Sequence, residues 1–78
     1  MRAKLPRLVV TFSTTAAAME MERYCQANGI SGRLIPTPRE ITADCGLAWS
    51  APSEAESAVL QAANNGCIEY AAVYHLVI

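Results

Sequence analysis

The chain has no long apolar run, no closely spaced cysteine pair, one histidine and no concentrated patch of charge, and each shortage removes a class of function. After the basic residues Met1–Arg7 the apolar run is only Leu8–Phe12, too short for a signal-peptide core or a membrane span. A cytoplasmic protein with no membrane partner is expected. Six Lys and Arg stand against seven Asp and Glu, and the basic residues do not cluster beyond Arg2, Lys4 and Arg7. That balance leaves no electrostatic footprint for nucleic acid. The three cysteines, Cys25, Cys45 and Cys67, are spaced by 20 and 22 residues. An odd number at such spacings fits neither a disulfide framework nor a zinc site, so free thiols are expected, with no metal and no cofactor. With 78 residues there is room for one domain, 1–78, one modest core and a shallow site.

What the chain does have is regular alternation of strand and helix patterns. Arg7–Phe12 is apolar and β-branched, a strand; Thr14–Asn28 carries Ala17, Met21, Tyr24 and Cys25 on one helical stripe, with Ser13 or Thr14 as cap and Asn28-Gly29 as stop. On that stripe Cys25 is a core filler. Ile30–Ile35 and Leu47–Ser50 read as the second and third strands. Pro52-Ser53-Glu54-Ala55-Glu56 opens a second helix through a capping box between Ser53 and Glu56, with Ala55, Ala58, Val59 and Ala62 buried and Asn65-Gly66 at its end. Ile68–Ile78 reads as one long strand, with Ile68, Tyr70, Ala72, Tyr74, Leu76 and Ile78 on one side.

This order, βαββαβ, is also an internal repeat. Phe12-Ser13 returns as Trp49-Ser50 and Asn28-Gly29 as Asn65-Gly66, each displaced by 37 residues. Two strand-helix-strand halves with right-handed crossovers interleave as a ferredoxin-like α+β sandwich, an antiparallel sheet in the order 4-1-3-2 under two helices. The repeat sets Trp49 in the core beside Phe12, and Cys67 in the packing role of Ile30. The other sheet face would then carry Val9, Thr11, Arg33, Ile35, Ala48, Ala71 and Val73.

The candidate site is the connector Pro36–Gly46. Two prolines stiffen its entry, and Gly46 leaves room beside Cys45 for another molecule to approach. A loop thiol contributes little to packing, so its value is as a thiolate. The topology sets the connector at the same end of the sheet as Ser13-Thr14-Thr15, where unpaired helix amides favour an anion. Asp44 opposes a lowered pKa, and Arg39 offsets it if the loop folds back. Cys67 should lie at that end too, two strand spacings or about 10 Å from Cys45, beyond the ~7 Å a disulfide allows. His75 falls on the opposite side of its strand from Tyr74 and Leu76, towards the other end, which argues against a Cys-His pair.

From Leu8 to about Leu76 the segments TFSTTAAAMEMERYCQANGI, RLIPTPREITADCGLAWS and NNGCIEYAAVYHL resemble the small selenium/sulfur carrier-like family. Its Cys-Gly hallmark maps onto Cys45 and Gly46, and its preceding Pro-Arg onto Pro38 and Arg39. The resemblance implies a carrier rather than a turnover enzyme, with sulfur or selenium held on Cys45 as a persulfide or selenopersulfide. Gly46, Thr14, Thr15 and Arg39 would support that thiol. A donor such as a cysteine desulfurase and an acceptor protein are the implied partners. The alternative is a thiol-independent interaction or regulatory module using the open sheet face, for instance to form a homodimer.

Overall fold

In a computed structural model, residues 5–39, 41 and 46–77 are described. The element order is β1 (Pro6–Thr11), α1 (Thr15–Ala27), β2 (Arg33–Pro36), β3 (Leu47–Pro52), a 3-10 turn (Ser53–Ala55), α2 (Glu56–Asn65) and β4 (Ala72–Val77). The strands form one antiparallel sheet in the order β2-β3-β1-β4, which is 4-1-3-2 read from the other side. The expected ferredoxin-like α+β arrangement is therefore present. No helix among the described residues is long and apolar enough to cross a membrane.

The sheet's centre is β1, whose Leu8, Val9, Val10 and Thr11 are all buried, consistent with an apolar, β-branched strand covered on both faces. On the helix side Leu8, Val10, Phe12, Trp49 and Ala51 pack with Ala18, Met21 and Cys25 of α1 and with Val59, Ala62 and Ala63 of α2. The expected core roles of Cys25 and Trp49 are thus met. Gly32, at φ +137°, lets the backbone pass over the Trp49 indole; a Cβ there would lie 2.5 Å from Nε1.

α1 begins as expected. Thr14 is the N-cap, and its Oγ1 accepts from the Ala17 N–H at 3.1 Å. α2 does not. Ser53 and Glu56 form no capping box: Ala55 is the N-cap, without a side-chain hydrogen bond. The chain enters through a 3-10 turn instead, the Glu56 N–H donating to the Ser53 carbonyl. That turn rotates the helix relative to the expected stripe, so Val59, Ala62 and Ala63 are buried, while Ala58 is exposed and Ala55 half-buried.

The last expected strand, Ile68–Ile78, is also corrected, since β4 spans Ala72–Val77. The cause lies at the end of α2. Gly66, at φ −86°, is the C-cap, and Cys67 takes the left-handed conformation at φ +54°. Cys67 N–H donates to Asn64 (3.3 Å) and Ile68 N–H to Ala63 (2.9 Å), the paired bonds of a Schellman motif. α1 ends similarly, with Asn28 as C-cap, Gly29 at φ +67° and Ile30 N–H donating to Cys25. Structurally, Cys67 therefore matches Gly29 and Ile68 matches Ile30, one residue out of step with the sequence repeat. Cys67 is exposed rather than packed, and Ile68 fills the core position.

The same correction shifts β4. Val10 opposes Val73, and Val9 opposes Tyr74, so Val73 packs on the helix side while Tyr74 and Leu76 join the other face. Ala71 precedes the strand, its N–H donating to the Thr11 carbonyl at 2.7 Å. That other face is not open at its centre. Val9 and Ala48 are wholly buried there, together with Ile41 from the β2–β3 connector.

Candidate functional site

The candidate site is assembled at one end of the sheet, where β1 and β2 finish and β3 and β4 begin. Register fixes this arrangement: Pro36 opposes Leu47, and Ala48 opposes Thr11. Gly46 and the start of α1 are thereby brought to the same end, with Ser13, Thr14, Thr15 and Gly46 all exposed. α1 has no acidic residue in its first turn, whereas α2, which starts at the opposite end, has Glu56 there. The positive end of the α1 dipole is accordingly not offset by a carboxylate of its own first turn.

The connector between β2 and β3 is tied at three points. Thr37 N–H donates to the Gly46 carbonyl at 3.0 Å, closing its base, and Ile41 N–H donates to the Pro38 carbonyl at 3.0 Å, closing a turn around Arg39. Arg39 is exposed, while the Ile41 side chain is buried on the back of the sheet. Cys45, with Glu40 and Thr42–Asp44, lies outside the described residues. The expected approach of Cys45 to Thr14 and Thr15, the roles of Arg39 and Asp44, and the separation of Cys45 from Cys67 thus involve a residue whose placement is not described.

The other two cysteines are distinct in character. Cys25 is buried on α1, and burial pushes its thiol pKa up, which suppresses the nucleophilic thiolate. Cys67 is free and exposed. It lies five residues before β4, in the C-terminal turn of α2, on a shallow groove formed with Leu60, Asn64, Glu69 and Tyr70. Because α2 runs back towards the Gly46 end, Cys67 shares that end of the molecule. Sequence reasoning undervalued this thiol. In the sequence both halves repeat at the same 37-residue interval, so nothing there moves Cys67 from the position of Ile30 to that of Gly29; the one-residue offset is a property of the folded turn.

His75 sits at the opposite end, as expected from its place late in β4, and its Nε2 lies 3.0 Å from Glu56 Oε1. It faces the helix layer, while Tyr74 and Leu76 face the back. Among the described residues no cluster of three or more His, Cys, Asp or Glu is arranged to hold a metal ion.

A family model described as "Putative Se/S carrier protein-like" matches residues 7–75. No curated protein and no solved structure matches the chain.

Proposed function

The chain belongs to the Se/S carrier protein-like family, and on that premise we propose that Cys45 is its attachment thiol, carrying sulfane sulfur or selenium between a donor and an acceptor protein. The observation that supports this reading most is the build of the connector. Cys45 immediately precedes Gly46, an exposed residue whose carbonyl is tied to Thr37 at the end of the sheet where α1 begins. A carrier thiol needs a small neighbour, so that a second protein's cysteine can come within bonding distance, and nearby donors to favour its anion. Gly46 supplies the first. The α1 amides, with Thr14 and Thr15 beside them and Arg39 on the connector, supply the second.

The transfer is a thiol exchange without net oxidation. The Cys45 thiolate attacks the outer sulfur of a donor cysteine persulfide; a sulfur–sulfur bond forms at Cys45, the donor's own sulfur–sulfur bond breaks, and the donor leaves as its thiolate. A selenopersulfide exchanges in the same way. Discharge repeats the step with an acceptor thiolate as nucleophile. A cysteine desulfurase, which forms a cysteine persulfide, is a donor of suitable chemistry.

The test is discharge. Protein loaded with isotopically labelled sulfur from a desulfurase and freed of it is mixed with a reduced protein thiol. Release of label to the acceptor, abolished by Cys45→Ala and retained by Cys67→Ala, is the expected result; retention of label, or release that survives Cys45→Ala, contradicts the proposal.

A further inference from the structure

The two edges of the sheet are built differently. β2 is four residues long, carries Arg33 at its start and ends on Pro36, which has no N–H to offer a neighbour. A short strand, a charge and a proline are devices that keep an edge from pairing with another chain. β4, the other edge, has none of them. It runs for six residues, Ala72–Val77, without proline, glycine, lysine, arginine or a carboxylate, and among the described residues it pairs with β1 alone. Alternate residues of β4 therefore turn their N–H and C=O groups away from β1. Apolar surface gathers at the same edge. Among the described residues four large hydrophobic side chains are exposed, Leu5, Met19, Tyr70 and Val77, and three of them lie here: Val77 in β4, Tyr70 two residues before the strand, and Leu5 next to Pro6, which opposes Val77.

We propose that the outer edge of β4 is a dimerisation edge, pairing antiparallel with β4 of a second copy of this chain so that the two sheets become one. The difference between the edges identifies the occupant. β4 against β2 would be a head-to-tail contact able to repeat without end, and Arg33 and Pro36 of β2 oppose it; β4 against β4 is self-complementary and closes at two copies. The antiparallel two-fold also brings Tyr70 of each copy towards Val77 and Leu5 of the other, apolar against apolar. Residues directly opposite each other share a face of the sheet, so the two-fold falls on a residue rather than between residues. Centred on His75, it sets Val73 opposite the partner's Val77 and Tyr74 opposite the partner's Leu76, which keeps hydrophobic residues together and fixes the register. Because β4 starts at the Gly46 end of its own sheet, the two Gly46 ends point in opposite directions and the pairing leaves both open. The dimer is thus independent of the reading of Cys45.

The experiment is sedimentation equilibrium of the full chain under reductant, so that no disulfide between exposed thiols imitates the dimer. One six-residue edge engages far fewer than the roughly 20–30 residues a side of a standard interface, so the dimer should be concentration-dependent, half-formed between about 1 μM and about 1 mM. Val77→Lys, at a side chain already 60% exposed, adds an edge-blocking charge and should raise the dissociation constant by about tenfold or more. Met19→Lys, at the exposed hydrophobic on α1, should leave it unchanged. Amide exchange of the unmodified protein locates the interface without any variant: β4 amides should slow as concentration rises, and β2 amides should not. That measurement decides the matter if Val77→Lys fails to fold. A chain that stays monomeric up to about 1 mM overturns the proposal. So does a dimer that folded Val77→Lys leaves intact, one that Met19→Lys weakens equally, or one that forms with no slowing of exchange in β4.

Discussion

The backbone N–H of Thr37 donates to the carbonyl of Gly46 across 3.0 Å, tying the β2–β3 connector one residue beyond Cys45. The strands are already in register here, Pro36 opposite Leu47, so this bond carries the hairpin pairing outward to the root of the connector. Rigidity of the sheet thus extends to the residue next to the proposed attachment thiol, where a loop would otherwise fray.

The left-handed turn after α2 gives a stability prediction. Cys67 adopts φ +54°, a conformation that costs an L-residue roughly 1–2 kcal/mol and costs glycine little. Cys67→Gly should therefore stabilise the protein by about 1 kcal/mol, less the entropy glycine adds to the unfolded chain. Cys67→Val should destabilise it, because a β-branched residue tolerates that region poorly. Urea unfolding midpoints at constant m-value give both signs.

The two glycines with positive φ before β2 should differ sharply. At Gly29, φ +67°, an added Cβ meets nothing within 4 Å, so Gly29→Ala should cost only the conformational term of about 1 kcal/mol. At Gly32, φ +137°, a Cβ would lie 2.5 Å from Trp49 Nε1 and 2.8 Å from the Ser50 carbonyl. Backbone strain and overpacking add, and Gly32→Ala should cost about 3 kcal/mol or more. Similar losses at both positions would contradict this packing of Trp49.

Burial of Cys25 has a pH signature. Its pKa is raised in the folded state, so above the unfolded-state pKa of about 8.5 the unfolded chain releases a proton that the folded protein keeps. The stability contribution is intact below that pH and is lost as pH rises through the folded-state value. Unfolding free energy should fall as pH rises above about 8.5, and fall less in Cys25→Ala, although that variant starts about 1 kcal/mol lower from lost packing. Parallel pH profiles for the two proteins would refute the assignment.

Much of the fold was legible because the relevant signals are local. Thr14 capped a helix whose apolar residues recur at helical spacing, and two strand-helix-strand halves admit few interleavings. What failed depended on one residue of phase. Asn65-Gly66 looks like Asn28-Gly29, but the 3-10 turn at Ser53–Ala55 and the left-handed Cys67 displace the second half by one position. Since alternate strand residues point to opposite faces, that slip exchanged Val73 for Tyr74 and Leu76 on the back of the sheet. For the site, the sequence identified a Cys-Gly pair and the end of the sheet to which Gly46 belongs. It gave no sign that Ile41 would be buried across the sheet, because a single apolar residue in a connector has no periodicity to betray its partners.

Site-resolved loading tests the central claim most directly. No Lys or Arg follows Arg39, so tryptic cleavage leaves Cys45 and Cys67 on one peptide, whereas cleavage after Glu54 or Glu56 separates them. The protein is exposed to a limiting sulfane-sulfur donor at neutral pH, its remaining thiols are blocked, and the glutamate-cleaved peptides are weighed. The account predicts one added sulfur on the peptide containing Cys45, little on that containing Cys67 and none on that containing Cys25. Sulfur found chiefly on Cys67, or on neither Cys45 nor Cys67, would contradict it.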